Sequence, residues 1–260
     1  MIRPLRRHLP SICAFALAAC LGGSAGAQPV DRDVVYVPTP QEVVDRMLQV
    51  SAVRPGEVVL DLGCGDGRMV VTAGRLGARG VGVDIDPQRI AEANENARAA
   101  GVSDRVEFRI GNLFAEDLGQ ADVLAVYLLT EINARLRPKI LGTMKVGARV
   151  ASHAFDMGDW EADGTETVGS RRIFSWIVPA RDVGGTWRVE GDRPMTADLV
   201  QRHQVLSGTA RIGDRSVPVS GRLRGAVVTL TLELDGKPQT FTGRIDGNRA
   251  VGTGWTAVRS

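Results

Sequence analysis

Apolar and polar positions along this chain follow two regimes. From about residue 40 to residue 152, short apolar runs that suit buried strands take turns with stretches of helical period. Val43, Val44, Met47 and Leu48 recur at helical spacing behind Thr39-Pro40-Gln41-Glu42. In that lead-in Thr39 can cap, Pro40 suits the first turn and Glu42 can reach back to close a capping box. Residues 57–62 form an apolar run that ends in a Gly-rich turn and predict a buried strand. A helix over 67–76 and a strand over 80–83 follow. Asp86-Pro87 opens a helix that runs to residue 100 and stops at Gly101, the residue type favoured just past a helix end. Further strands are predicted over 106–110, 121–127 and 148–152. The helix over 130–141 is expected to bend at Pro138. Strands alternating with helices at this spacing mean βαβ units and a parallel sheet covered on both faces.

The second regime begins after Asp156. Residues 165–168 and 172–178 predict a hairpin, antiparallel at the sheet edge, and 181–185 read as a linker. Beyond it no helical period remains. Short alternating stretches recur instead over 187–189, 199–201, 205–210, 217–219, 227–234, 240–245 and 251–255, punctuated by Asp235-Gly236 and Asp246-Gly247. That pattern predicts a small all-β module, a barrel or a meander. The expected organisation is a doubly wound, Rossmann-like α/β domain over 28–182, its mostly parallel sheet ending in an antiparallel edge hairpin, and an all-β module over 183–260.

Residues 1–27 read as an export signal. Met1 to His8 is positive, and 12–21 is an apolar run of about ten residues, half of the roughly 20 needed to span a bilayer. Ala25-Gly26-Ala27 then offers a small-x-small cleavage site. Leu17-Ala18-Ala19-Cys20 also fits a lipoprotein-type box, which would put a lipid anchor on Cys20. Either route leads to the periplasm or cell envelope; a mis-assigned start would leave the protein cytoplasmic. No transmembrane span is expected.

Composition narrows the partners. Of 260 residues, 43% are hydrophobic and 24% charged, which excludes disorder, collagen and coiled coil. Without Arg3, Arg6 and Arg7 the formal charge of +2 becomes 29 basic against 30 acidic residues. No net basic charge remains to draw nucleic acid or anionic lipid, and no nucleic-acid partner is expected. Past the signal Cys64 stands alone, so neither a disulfide nor a Cys-based metal site is expected.

The informative stretch is Val59-Leu60-Asp61-Leu62-Gly63-Cys64-Gly65-Asp66-Gly67-Arg68. A strand runs into a turn with Gly at alternate positions, then into a helix. Gly63 and Gly65 remove the Cβ atoms that would block a ligand. The turn lies beyond the carboxyl end of the first strand, where doubly wound sheets bind ligands. A dinucleotide fingerprint would need Gly at position 68, which is Arg. Asp61 and Asp66 suit a cationic amine better than a pyrophosphate. Gly82-Val83-Asp84-Ile85 ends the second strand with an acid about 20 residues on, placed for ribose hydroxyls.

This pattern resembles the first motif of the class I S-adenosylmethionine-dependent methyltransferases. The resemblance covers about residues 34–180 and implies S-adenosylmethionine as cofactor. It implies contacts from Thr39, Asp61, Gly63, Cys64, Gly65, Asp66, Asp84, Ile85, Asn112 and Leu113. Ile85 would lie against the adenine and Asn112-Leu113 near its amine. Tyr36-Val37-Pro38-Thr39-Pro40 ahead of Asp-Leu-Gly-Cys-Gly-Asp-Gly-Arg is similar to the lysine methyltransferases related to the ATP synthase c-subunit enzyme. In that group the Pro-Thr segment would pass near the methionine end of the cofactor, and the acceptor would be a protein lysine. The export signal and the β module depart from the pattern. They leave open an exported, non-catalytic module that reads a nucleoside-like ligand or an envelope partner.

Candidate catalytic residues follow from position. Tyr127 and Glu131 come after the fourth strand, where this fold places acceptor-binding residues. Glu131 or Asp156 could take the acceptor's proton. His153 is expected in a solvated loop after the fifth strand. Cys64 has no His in its motif and reads as a small packing residue.

Overall fold

The structure, a computed structural model, describes residues 36–260. The segment expected to be an export signal, with Cys20 and the cleavage expected after Ala27, lies outside the described residues. Eleven elements build the first layer set: α1 (Gln41–Val50), β1 (Val58–Leu62), α2 (Arg68–Arg75), β2 (Arg79–Asp84), α3 (Pro87–Ala100), β3 (Val106–Ile110), β4 (Val123–Val126), α4 (Thr130–Thr143), β5 (Arg149–His153), β6 (Gly164–Val168) and β7 (Arg171–Ile177). The sheet order is β3-β2-β1-β4-β5-β7-β6. Strands β1 to β5 are parallel, and β6–β7 is the antiparallel edge hairpin. This is the Rossmann-like arrangement expected from the alternation.

The alternating sides of β1 and β4 show why the strands read as unbroken apolar runs. Val59, Val123 and Ala125 face Val43, Val44, Met47 and Met69 of α1 and α2. Leu60, Leu62, Leu124 and Val126 face Ile132, Leu136 and Ile140 of α4, together with Trp160 and Trp176. A strand buried on both faces needs apolar residues at every position. The order reverses between β1 and β4, which opens a crevice at their carboxyl ends.

Two local expectations are corrected. Thr39 and Glu42 form no capping box: Pro40 takes the cap position at φ −56°, ψ 146°, and no side chain bonds the first turn of α1. Helix α4 runs through Pro138 to Thr143, past the expected end. Helix α3 starts and stops as its signals imply, with Asp86 accepting from the Gln88 amide and Gly101 left-handed at φ 68°.

The second part is an eight-stranded closed barrel: β8 (Gly185–Gly191), β9 (Met195–Arg202), β10 (Val205–Ile212), β11 (Arg215–Arg224), β12 (Val227–Leu234), β13 (Lys237–Asp246), β14 (Arg249–Gly252) and β15 (Trp255–Arg259). Each strand pairs antiparallel with the next, and β15 closes on β8. The stretch 251–255, expected as one strand, straddles the tight β14–β15 turn at Thr253-Gly254. The barrel has its own core, with Trp187, Leu206, Leu223 and Leu232 among its members.

Polar ties join barrel and sheet. Arg222 donates to Asp163 at 2.9 Å, Gln204 to the Glu161 carbonyl at 2.6 Å, and the Ala180 amide to the Gly225 carbonyl at 2.8 Å. Among the described residues no helix is long and apolar enough to cross a membrane.

Candidate functional site

The glycine turn sits between the ends of β1 and α2. Gly63 and Cys64 donate their amides to the Val83 carbonyl at 2.8 and 3.1 Å, which anchors the turn to β2. Gly65 donates its amide to Asp84 Oδ2 at 2.9 Å, and the Asp86 amide donates to Asp84 Oδ1 at 2.9 Å. Asp84 thus closes β2 directly beside the turn and keeps lone pairs for further donors. Gly65 is left-handed at φ 52°, and a Cβ there would collide with the Tyr36 ring. Only Gly tolerates both the backbone and the approach.

Asp61 is buried, and among the described residues no hydrogen bond reaches its carboxyl group. Burial, then the neighbouring Asp84 and Asp66, push it up to about 8. An acid so placed fits the positive amine expected of the ligand: a cation would remove the cause of the shift. Cys64 is buried, and burial together with Asp61 pushes its thiol well above the usual range. It packs and does not react.

Asp66 is not free to meet a cation. Arg68 grips both of its oxygens, at 2.5 Å and 2.9 Å for the closest contacts. Burial opposes the charge on Asp66, but the Arg68 hydrogen bonds win and hold it below the usual carboxylate range. Arg68 also donates to the Thr39 carbonyl at 2.8 Å. The lead-in 36–39 therefore lies across the glycine turn as a strap. Tyr36 rests on Gly65, and the Arg89 guanidinium stands 4.6 Å from the centre of the same ring.

The far end of the strap reaches β5. Thr39 Oγ1 lies 3.2 Å from His153 Nδ1. His153 is the last residue of β5 and fully buried, which corrects the expected solvated loop. Its ring packs at a tilt of 31° against Tyr127 with centroids 3.8 Å apart, and Phe155 stacks on the same tyrosine. Burial, then the charge of Arg171, lower the imidazole to about 4, so it is neutral at physiological pH.

The expected proton acceptors are scattered. Glu131 is exposed in the first turn of α4. Asp156 is exposed, and its Oδ1 accepts from the Gly158 amide at 3.1 Å. The structure brings neither of them into a hydrogen bond with Tyr127 among the described residues. Asn112 turns its side chain back to accept from the Phe114 amide at 2.9 Å, and Leu113 packs partly into the core. Ile85 is exposed, as is Ile110, which pairs with Asp84 across β2–β3.

Sequence reasoning missed three contributors. Tyr36 reaches Gly65 by a contact that no local pattern announces, and Arg68, two residues from Asp66, ties the turn to the distant Thr39 carbonyl. Asn133 is fully buried on α4 and donates to the carbonyls of Phe155 and Asp156 at 3.3 and 3.0 Å. A polar residue set among the apolar Ile132, Leu136 and Ile140 was the available signal.

A family model described as the ANTKMT methyltransferase domain matches residues 61–164. Over 129 residues the chain is 43% identical to a protein-lysine N-methyltransferase of Saccharolobus islandicus, covering 49% of this chain and 80% of that one. It is 26% identical over 188 residues to the ATP synthase c-subunit lysine N-methyltransferase of Mus musculus, covering 72% of each. Among solved structures it is similar to an RNA methyltransferase from Salinibacter ruber in complex with S-adenosyl-L-homocysteine. The identity is 46% and the TM-score 0.55, with 56% of this chain and 95% of that one covered.

Proposed function

The chain belongs to the class I S-adenosylmethionine-dependent methyltransferases, alongside the ATP synthase c-subunit lysine enzyme, and from that premise we propose that it methylates a lysine side chain of a protein. S-adenosylmethionine is the methyl donor. When bound, it supplies a methyl group on a sulfonium, a good leaving group, so the protein's work is alignment.

The chain's own residues divide that work. Asp84, at the end of β2, takes the ribose hydroxyls, and Ile85 with Asn112 and Leu113 borders the adenine. Asp61 carries the methionine ammonium, and Gly63, Cys64 and Gly65 give the backbone close approach. Asp66 acts through Arg68, which holds the Thr39 end of the strap. The observation that carries the reading is Asp61: a buried acid that no hydrogen bond reaches among the described residues, beside a glycine turn at the switch point, matches a ligand with a cationic head.

The acceptor side lies past β4, where Tyr127 follows the strand end. A lysine ordinarily holds its proton to about pH 10.4. Burial of the amine has to lower that value before the nitrogen can attack, and Glu131 or Asp156, both exposed, would receive the proton. On the strength of the N-terminal pattern we propose that the enzyme works in the periplasm or cell envelope. Mass spectrometry of the mature N-terminus tests that location and separates cleavage after Ala27 from lipidation at Cys20.

The activity test uses the full chain, S-adenosylmethionine with a labelled methyl group, and poly-lysine, total cell protein and total RNA as separate acceptors. Methyl-lysine after acid hydrolysis of labelled protein is the expected product. Label confined to RNA would move the acceptor class. Cofactor binding without transfer to any pool would leave a non-catalytic binding module.

A further inference from the structure

The strap is tied to the cofactor turn at both of its ends, and one further tie lies outside that turn. On the turn side, Tyr36 lies on Gly65 and Arg68 holds the Thr39 carbonyl. On the other side the polar tie is Thr39 Oγ1 with His153 Nδ1. That imidazole is fully buried, and its Nε2 has no partner among the described residues. Leaving a buried nitrogen unpaired costs free energy that an apolar residue of similar shape would avoid. The ring is held nonetheless. It packs against the Tyr127 ring, its backbone pairs with Ile173 of β7, and Ala154 directly after it is left-handed at φ 65°. The neutral state of the ring suits a buried place.

We propose that His153 is a positioning residue that fastens the 36–39 strap across the cofactor turn, so that the grip on the cofactor depends on the Thr39–His153 contact. This rests on the methyltransferase reading above. The imidazole acts on the turn through Thr39. Because the same ring packs against Tyr127, the strap is fixed to the acceptor-side end of β4 and not to a neutral part of the scaffold.

The test is a double-mutant cycle on the full chain, read as affinity for S-adenosylhomocysteine by titration calorimetry. Thr39→Val and His153→Phe each remove one half of the contact. Each is expected to weaken binding five- to tenfold, and the double variant no more than about twofold beyond the weaker single. His153→Asn, whose amide stands near the Nδ1 position, is expected to recover affinity to within about threefold of the wild type. A ring that merely filled space would be rescued by Phe and not by Asn. Losses that multiply in the double variant, or wild-type affinity in both singles, overturn the proposal. Should His153→Phe fail to fold, Thr39→Val against His153→Asn decides: a tight His153→Asn beside a weak Thr39→Val supports it, and the reverse sinks it. A wild type that binds no S-adenosylhomocysteine fells the methyltransferase reading itself.

Discussion

Asp61 and His153 are both buried, and burial moves them in opposite directions. Asp61 stands near 8, so at pH 7 it holds its proton. A cofactor ammonium beside it would favour the carboxylate, and binding would then release close to one proton. Calorimetry at pH 7 in two buffers of different ionisation enthalpy should show that release. Affinity should climb from pH 6 to pH 8, by at most about tenfold per unit, and level off above. Asp61→Asn should show neither effect; an unchanged proton count in that variant removes the assignment. The same two residues shape stability without ligand. His153 falls from 6.5 to about 4 on folding, so its contribution is complete above 6.5 and fades as pH drops toward 4. Asp61 rises from 3.8, so its contribution is complete below 3.8 and fades as pH climbs toward 8. Between 4 and 6.5 the two slopes oppose. Relative to wild type, His153→Asn should therefore lose roughly 2 kcal/mol of unfolding free energy across that window as pH rises. An unchanged difference between the two proteins from pH 4 to 6.5, by urea titration, would count against a depressed imidazole. At this scale the sequence was legible where chemistry dictates residue type at short range. Asp61, Gly63, Gly65 and Asp84 stand within one strand–turn–helix–strand unit. Tyr36 and Arg89 were not legible, because the stack between them spans more than fifty positions and follows no period. His153 was misjudged because a polar residue at a strand end looks solvated until the strap that covers it is known.

Elements repeat the lesson. The parallel strands announced themselves because burial on two faces leaves apolar residues at nearly every position of β1 and β4, Asp61 being the exception that marks the site. The barrel strands, with one face in solvent, gave only alternation, and their ends blurred. So 251–255 looked like one strand when the turn at Thr253-Gly254 divides it. The first helix misled for a different reason. Thr39 has the right chemistry for a cap, but Pro40 takes the cap position and leaves the Thr39 hydroxyl to His153. The hairpin β6–β7 carries the element on which sheet and barrel meet. Asp163, just before β6, accepts from the Ile177 amide at 2.8 Å through one oxygen and from Arg222 of β11 at 2.9 Å through the other. Its side chain is only 10% exposed. Asp163→Ala would leave a strand amide unpaired and a guanidinium without its partner, a loss on the order of 2 kcal/mol. Arg222→Ala, at a guanidinium 42% exposed, should cost clearly less. Chemical unfolding of both variants checks the order, and a larger loss at Arg222 would mean that the carboxylate is not the centre of the tie.

At the scale of the whole molecule, sheet and barrel pack as one compact unit yet keep separate apolar cores. What joins them is mainly polar: Arg222 to Asp163, Gln204 to the Glu161 carbonyl, and Arg181 to the carbonyls of Leu141 and Met144. Polar ties align two bodies without making their cores melt together, because the cooperative part of stability is buried apolar surface. The expected result by scanning calorimetry is two transitions, not one. The cofactor turn belongs wholly to the sheet, so a ligand bound there stabilises only that body. At a concentration of S-adenosylhomocysteine about a hundred times its Kd, the gain is roughly 2.7 kcal/mol. For a domain of about 150 residues that raises the midpoint of one transition by roughly 5–10 °C and leaves the other in place. A single transition that moves as a whole would mean that the barrel shares the fold's cooperativity. In that case any loss of binding caused by a barrel substitution would trace to lost stability, and the appended module would be a part of the catalytic body and not a passenger on it.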